Sequence, residues 1–229
     1  KMSDLIPDIQ LQDNTEQRLA CVLVLDGSTS MLETNEQGKT KIELLNNGLK
    51  VFEEALKNDD LAASRVQVLV LRIGGNSEVG IVSDWSDAMH WEAPKIEANG
   101  MTPLGKGARE ALSQIETQKQ KYQENGITYN RPWLILITDG EPNDHGWENA
   151  AQECRDAEKN NKVTVFPIGV DGANIDSLNL FAKKGAIPLK GLAFNELFLW
   201  LSRSVSMGSQ AAAGEQVQLP APTWGDVTV

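Results

Sequence analysis

Hydrophobic residues alternate along the chain between short unbroken runs and longer segments in which they recur every three or four positions. The run LACVLVL at 19–25 is too continuous for a half-exposed strand and predicts a strand that is covered on both faces. The segment that follows Thr40 has the periodicity of an amphipathic helix, and Thr40 with Glu43 is typical of a capping box at the start of a helix. The apolar stripe of this helix consists of Ile42, Leu45, Leu49, Phe52 and Leu56.

The same alternation continues along the chain and predicts a doubly wound α/β fold. Strands separated by helices of this length form a mainly parallel sheet with helices on both faces. A Gly-Gly-Asn turn before the strand at 78–85 favours one antiparallel edge strand. Further strands are predicted at 65–73, 132–138, 162–170 and 186–190, and further helices at 103–120, 148–161, 176–185 and 194–206.

A single domain accounts for this pattern. We expect an N-terminal arm at 1–17, where the residues are polar and aperiodic, and one domain at 18–207. A flexible tail is expected at 208–229, because little apolar periodicity remains there. Trp224 has no core to enter within such a tail, so a docking peptide is an equal alternative for this segment.

Composition narrows the class of protein. The net charge of −11 over 229 residues argues against nonspecific binding to nucleic acid or to an anionic membrane, since both need basic surface. No apolar run approaches the roughly 20 residues of a membrane-spanning helix, and no signal segment is predicted. Cys21 and Cys154 are too few and too far apart for a disulfide framework. We therefore expect a cytoplasmic protein with free thiols.

Polar residues that could carry chemistry follow two of the buried strands. Asp26, Ser28 and Ser30 come directly after the first strand, and Asp139 comes after the strand at 132–138. Thr102 lies just before a predicted helix. Ligands of a doubly wound sheet bind beyond the carboxyl ends of the strands, where the strand order reverses. If these two strands are neighbours at that point, the three loops meet there.

The donor set would then consist entirely of oxygen. Two carboxylates and three hydroxyls suit a hard cation such as Mg²⁺, which takes six oxygen ligands. Neutral hydroxyls leave much of the charge of the ion uncompensated, so an anion is favoured at an open position. The pattern therefore predicts a site that recognises a carboxylate through a metal ion.

These residues resemble the signature of a known family. DGSTS at 26–30, GMTPLG at 100–105 and Asp139 are similar to the metal-ion-dependent adhesion site of von Willebrand factor A domains, which have a Rossmann-like fold. The resemblance implies that Ser28, Ser30 and Thr102 contact Mg²⁺, with Mn²⁺ or Ca²⁺ as alternatives. It implies that Asp26 and Asp139 bind the ion directly or through water. A partner Asp or Glu would complete the site.

Within that family the chain most resembles the bacterial TerY-like group. The segment LITDGEPND and the following Trp147 carry this narrower likeness. It implies a role in tellurium resistance, stress response or defence, with a protein kinase and a PP2C-type phosphatase as possible partners. Two departures stand out: Thr29 replaces the usual Gly, with a Gly at 27 instead, and ETNEQGKT forms an insert at 33–40.

Other interpretations remain open from the residues themselves. Asp26, Ser28 and Ser30 alone could simply cap a helix, and an adaptor with an empty metal site is a further alternative. A Mg²⁺-dependent phosphatase of the haloacid-dehalogenase type would need a second Asp where Ser28 stands. We expect a binding module without catalytic residues. Glu141, Asp144 and Trp147 are candidates for a partner-binding rim, although a solvated loop and a packed Trp147 explain them as well.

Overall fold

A six-stranded sheet with helices on both faces forms the centre of the molecule. The computed structural model describes residues 14–75, 78–212 and 218–222. The strand order is β3-β2-β1-β4-β5-β6, and only the edge strand β3 runs antiparallel to its neighbour. The strands are β1 (Leu19–Asp26), β2 (Val66–Ile73), β3 (Val79–Asp87), β4 (Trp133–Thr138), β5 (Thr164–Gly169) and β6 (Ile187–Pro188). The predicted fold class is therefore confirmed.

Six α-helices connect and cover these strands in the described part of the chain. They are α1 (Lys41–Lys57), α2 (Asp60–Arg65), α3 (Leu104–Glu124), α4 (Trp147–Lys159), α5 (Ile175–Asn179) and α6 (Phe194–Gln210). The predicted capping box is present at the start of α1, where the Thr40 and Glu43 side chains each bond the backbone of the other. Within the described residues, none of these helices combines the length and the hydropathy needed to cross a bilayer.

Strand β1 is buried on both faces, as its unbroken apolar run predicts. One face packs through Leu23 against α1 and α6, where Phe52 and Phe198 meet with ring centroids 5.6 Å apart. The other face packs through Val22 and Val24 against α3 and α4. Side chains of successive strand residues point to opposite faces, so only an apolar run can fill both layers.

The strand order places the ends of β1 and β4 side by side. Both strands are parallel, and Leu25 pairs with Ile137, so Asp26 and Thr138 follow at the same level. The chain moves from β1 to β2 and β3 on one side, and returns to β4 on the other. A crevice at the carboxyl ends of the strands arises where the order reverses in this way.

Several elements differ from the sequence-based expectation. Helix α2 was not predicted; the Asp59 carboxylate starts it by accepting hydrogen bonds from the backbone of Leu61 and Ala62. Helix α6 continues to Gln210, three residues beyond the expected end of the domain at 207. Residues 218–222 return to this helix, where Trp200 Nε1 donates to the Pro220 carbonyl at 2.7 Å. Trp224 lies outside the described residues.

The two ends of the domain lie together at the start of β1. Gln17 Nε2 and Asn130 Nδ2 both donate to the Ala211 carbonyl, each at 3.0 Å. Gln17 precedes β1 and Asn130 precedes β4, so this contact lies at the amino ends of the central strands. The crevice is at the other end of these strands.

We expect neither cysteine to react with Ellman's reagent in the native protein. Both thiols are free and buried, and burial raises the pKa of Cys21 and of Cys154 to about 12. The thiolate is the reactive form, so both should react only after unfolding. The measurement is the rate of thionitrobenzoate release with and without denaturant, and rapid release from the folded protein would contradict it.

Candidate metal centre

Asp26 anchors the crevice from the last position of β1. It is fully buried, and both of its carboxylate oxygens accept hydrogen bonds. The Ser28 backbone N–H donates to Oδ1 at 2.7 Å, and the Thr138 hydroxyl donates to Oδ2. Burial raises the pKa of Asp26 above its ordinary value in spite of these bonds. A nearby cation would compensate for that cost of burying a carboxylate.

Ser28, Ser30 and Asp139 form a continuous chain of oxygen atoms. The two serine hydroxyl oxygens are 2.9 Å apart, and Ser30 Oγ donates to Asp139 Oδ1 at 2.7 Å. Asp139 and Ser28 are buried, and Ser30 is partly exposed. Residues separated by more than 100 positions are thus in direct contact, so the first two predicted loops do meet.

Thr102 lies against the Asp139 loop. Its side chain is buried, and its hydroxyl oxygen would be 3.0 Å from a Cβ atom at Gly140, the residue after Asp139. The two loops are also joined by a reciprocal pair of bonds, in which Asn143 Oδ1 accepts from the Thr102 N–H and the Asn143 N–H donates to the Thr102 carbonyl, both at 3.2 Å. The loop of Thr102 therefore lies against the loop of Asp139, and the role of the five residues as metal ligands stays a prediction.

The unusual Gly27 and Thr29 fit this particular loop arrangement. A Cβ atom at Gly27 would be 2.7 Å from the Glu97 carbonyl, so the segment before Thr102 crosses too closely for a side chain. Thr29 donates to the Gly100 carbonyl through its N–H at 3.1 Å and through its hydroxyl at 3.2 Å. The departures from the family pattern thus fasten the β1 loop to the loop that carries Thr102.

Lys41 is a site residue that the sequence analysis missed. Its ammonium donates to Asp139 Oδ2 at 2.8 Å and to Glu33 Oε2 at 2.7 Å, with 9% of its side chain exposed. Burial alone would lower the pKa of Lys41, but the bonds to both carboxylates raise it above its ordinary value. The bond to Lys41 lowers the pKa of Glu33. The available signal was a basic residue at the first position of a helix, where the helix dipole disfavours a positive charge.

The three candidate rim residues occupy different environments. Glu141 is exposed, two residues after Asp139. Asp144 is buried, and its carboxylate accepts from the backbone N–H groups of Gly105 at 3.0 Å and Lys106 at 2.8 Å. Asp144 therefore caps α3 and supports the Thr102 loop, and its part in a partner-binding rim stays a prediction. Trp147 is half-buried and stacks on Phe181 with the ring centroids 6.0 Å apart.

The donor set fits a small hard cation. With metal–oxygen bonds of 2.0–2.1 Å, neighbouring ligands of an octahedral Mg²⁺ are about 2.9 Å apart, the separation of the two serine hydroxyl oxygens. The described residues contain no cluster of three or more His, Cys, Asp or Glu side chains able to hold a metal. The five candidate ligands include no thiolate or imidazole, which zinc sites typically use, and fewer carboxylates than a typical calcium site. Two carboxylates with neutral hydroxyls remain, which is compatible with Mg²⁺.

Comparison with known families agrees with this geometry. The family model for the von Willebrand factor type A domain matches residues 21–196. This range includes the five candidate ligands and also Lys41. No curated protein sequence matches the chain.

Solved structures with the same fold come from bacterial surface proteins among others. The pilus adhesin SpaC from Lactobacillus rhamnosus GG matches with a TM-score of 0.64 and 15% identity, over 85% of this chain and 32% of the adhesin. A von Willebrand factor type A structure from Catenulispora acidiphila gives 0.63 and 18%, over 83% and 43%. The von Willebrand factor domain of the type V pili tip protein Mfa5 from Porphyromonas gingivalis gives 0.60 and 13%, over 87% and 99%. The chain thus spans less than half of the first two proteins, and at these identities the likeness shows the fold alone.

Proposed function

The chain belongs to the von Willebrand factor type A domain family, and from this premise we propose that it is a Mg²⁺-dependent protein-binding module. In this proposal Ser28, Ser30 and Thr102 hold the ion through their hydroxyls. Asp26 and Asp139 contribute charge, directly or through water. An Asp or Glu side chain of another protein completes the coordination.

The observation that carries the proposal is the oxygen chain from Ser28 through Ser30 to Asp139. The two hydroxyl oxygens are 2.9 Å apart, and the Asp139 carboxylate lies 2.7 Å from Ser30 Oγ, so several oxygen donors are gathered in one place. A divalent ion held mainly by neutral oxygens keeps a strong attraction for an anion. Although the protein itself is acidic, a bound ion would supply local positive charge. That charge would attract the carboxylate of a partner.

The same geometry argues against phosphoryl transfer. A haloacid-dehalogenase-type phosphatase would use Asp26 as its nucleophile. Asp26 is fully buried, with Oδ1 bonded to the Ser28 N–H and Oδ2 to Thr138. The Asp26 side chain has no exposed surface that a phosphate ester could reach, and Ser28 is a poor general acid.

The biological setting is part of the proposal. Two of the matched structures are those of a pilus adhesin and of a domain of a type V pili tip protein, which would fit a role in binding other proteins. The likeness of the loop sequences to the TerY-like group favours a bacterial stress, tellurium-resistance or defence system instead. Partners would then include a protein kinase and a PP2C-type phosphatase in the cytoplasm. Two unpaired cysteines are compatible with a reducing compartment.

The proposal is tested by replacing the two serines together. The Ser28→Ala/Ser30→Ala variant should keep its fold, because each change removes one oxygen, but it should lose Mn²⁺ binding measured by calorimetry. It should also lose the proteins that co-purify from extract with Mg²⁺ and are released by EDTA. Ser113→Ala, on the exposed face of α3, is the matched control. Equal recovery of the same partners in Mg²⁺ and in EDTA would refute a metal-dependent module.

A further inference from the structure

A lysine ammonium is built into the centre that is expected to bind a cation. Lys41 Nζ and Ser30 Oγ bond opposite oxygens of the same Asp139 carboxylate, at 2.8 and 2.7 Å. Lys41 is therefore one carboxylate away from the serine hydroxyls. A lysine ammonium is better solvated at the protein surface than in this buried position, so the surrounding structure must hold it there.

The insert at 33–40 is what positions this lysine. The insert is closed on itself: the Lys41 N–H donates to the Glu33 carbonyl at 3.0 Å, and Thr34 pairs with Thr40 in an isolated bridge. Within it, Asn35 Oδ1 accepts from the backbone of Gln37 and Lys39, each at 3.0 Å. Glu33 and Lys41 thus lie at the base of a closed loop with their side chains bonded to each other.

The loop after β5 encloses the ammonium from another side. A Cβ atom at Gly172 would be 3.7 Å from Lys41 Nζ, and the same position is 3.5 Å from the Asp139 carbonyl. The capping box at Thr40 fixes the first turn of α1, in which Lys41 is the first residue. The ammonium is consequently confined on the Asp139 side of the crevice, in contact with elements that follow β1, β4 and β5.

We propose that Lys41 is a resident counter-charge that sets the metal affinity of this centre. This inference rests on the proposed function, because it concerns the same metal ion. Without metal, the ammonium neutralises Asp139 and keeps the loops assembled. With metal, it remains beside Asp139 as a second cation and weakens the hold on the ion. The centre is then tuned to bind its ion weakly until the carboxylate of a partner adds negative charge.

The electrostatic balance supports this role. Asp26 and Asp139 carry two negative charges, and Lys41 with a divalent ion carries three positive charges, so the loaded centre has an excess of positive charge before any partner binds. Glu33 offsets part of it, but its side chain is 67% exposed and its charge is screened by water. A partner carboxylate therefore finds a centre that still attracts an anion.

The test is to remove the ammonium without changing the donor oxygens. Lys41→Met should bind Mn²⁺ about tenfold more tightly than the unchanged protein in calorimetry, because a nearby positive charge no longer repels the ion. In EDTA the same variant should melt at a lower temperature, and saturating Mn²⁺ should restore more of its stability than it adds to the unchanged protein. Lys39→Met removes an equal charge from an exposed position of the same loop and is the matched control.

The outcomes separate this inference from the proposed function. If the unchanged protein and Lys41→Met both bind Mn²⁺ and the variant binds equally or more weakly, Lys41 is not a counter-charge and only this inference fails. If neither binds, the proposed function fails as well. Binding by the variant alone would support the counter-charge role of Lys41 and would refute the proposed function, because the unchanged protein would then hold no ion. Should Lys41→Met not fold in EDTA, Lys41→Gln keeps a hydrogen-bond donor while removing the charge, and the same expected result applies to it.

Discussion

Asp139→Ala is expected to abolish Mn²⁺ binding and to lower the free energy of unfolding by about 3 kcal/mol, the lower end of what breaking a buried ion pair costs. The Asp139 side chain has no exposed surface, and it is the acceptor for both Ser30 and Lys41. Removing it leaves the Lys41 ammonium buried with Glu33 as its remaining carboxylate partner. It also removes one of the two negative charges that the metal ion needs.

Urea denaturation in EDTA measures the first effect and Mn²⁺ calorimetry measures the second. Asp139→Asn retains the shape and one acceptor oxygen, so it should destabilise the fold less than Asp139→Ala while still impairing metal binding. Asp171→Ala, in the exposed loop after β5, is the control for the general loss of an acidic residue near the crevice. A loss of stability under 1 kcal/mol for Asp139→Ala would contradict the structural role given to this ion pair.

Asp87→Ala is expected to lower the free energy of unfolding by about 3–5 kcal/mol, the usual cost of leaving a buried charge without its partner, while Mn²⁺ binding stays unchanged. Arg18 has no exposed surface, and its Nη1 donates to Asp87 Oδ1 at 2.9 Å. The same oxygen accepts from Gln67 Nε2 at 2.7 Å, and Gln67 in turn accepts from Gln118 and Tyr122. Removing the carboxylate therefore disrupts a network of five buried side chains.

This network lies at the amino ends of the central strands, away from the candidate metal centre. Arg18 directly precedes β1, and Asp87 is the last residue of the antiparallel β3. Denaturant titration measures the effect, and Glu16→Ala is its matched control. Glu16 forms a similar pair with Arg65, but its side chain is 54% exposed, so this change should cost less than about 1 kcal/mol. Similar losses for the two variants would mean that burial does not determine the strength of these pairs.

The features that the sequence predicted are those that depend on local pattern. The unbroken apolar run at 19–25 suits only a strand that is covered on both faces. The apolar stripe after Thr40 suits a helix that packs one face against the sheet. The two strands followed by Asp26 and Asp139 proved to be neighbours, so the meeting of their loops followed from the order of the strands. Local sequence also carried the capping box, since Thr40 and Glu43 are three residues apart.

The features that the sequence did not predict depend on pairing between distant residues. Lys41 and Asp139 are 98 positions apart, and nothing near Lys41 indicates which carboxylate it will reach. In the sequence, Asp144 is one residue of an acidic loop. In the structure its carboxylate accepts a hydrogen bond from the backbone N–H of Gly105 in α3, 39 positions earlier in the chain. Helix α2 has only six residues, too few for a hydrophobic period to appear.

The position of β1 has a mechanical consequence. Its first residues lie beside both ends of the domain, at Gln17 and Ala211, and its last residue is Asp26 in the metal centre. Tension between a captured partner and a tether that precedes Gln17 would therefore run lengthwise along β1. Strand β1 is hydrogen-bonded in parallel to β2 on one side and to β4 on the other. Such a load would therefore shear both rows of hydrogen bonds at once, instead of breaking the bonds one after another.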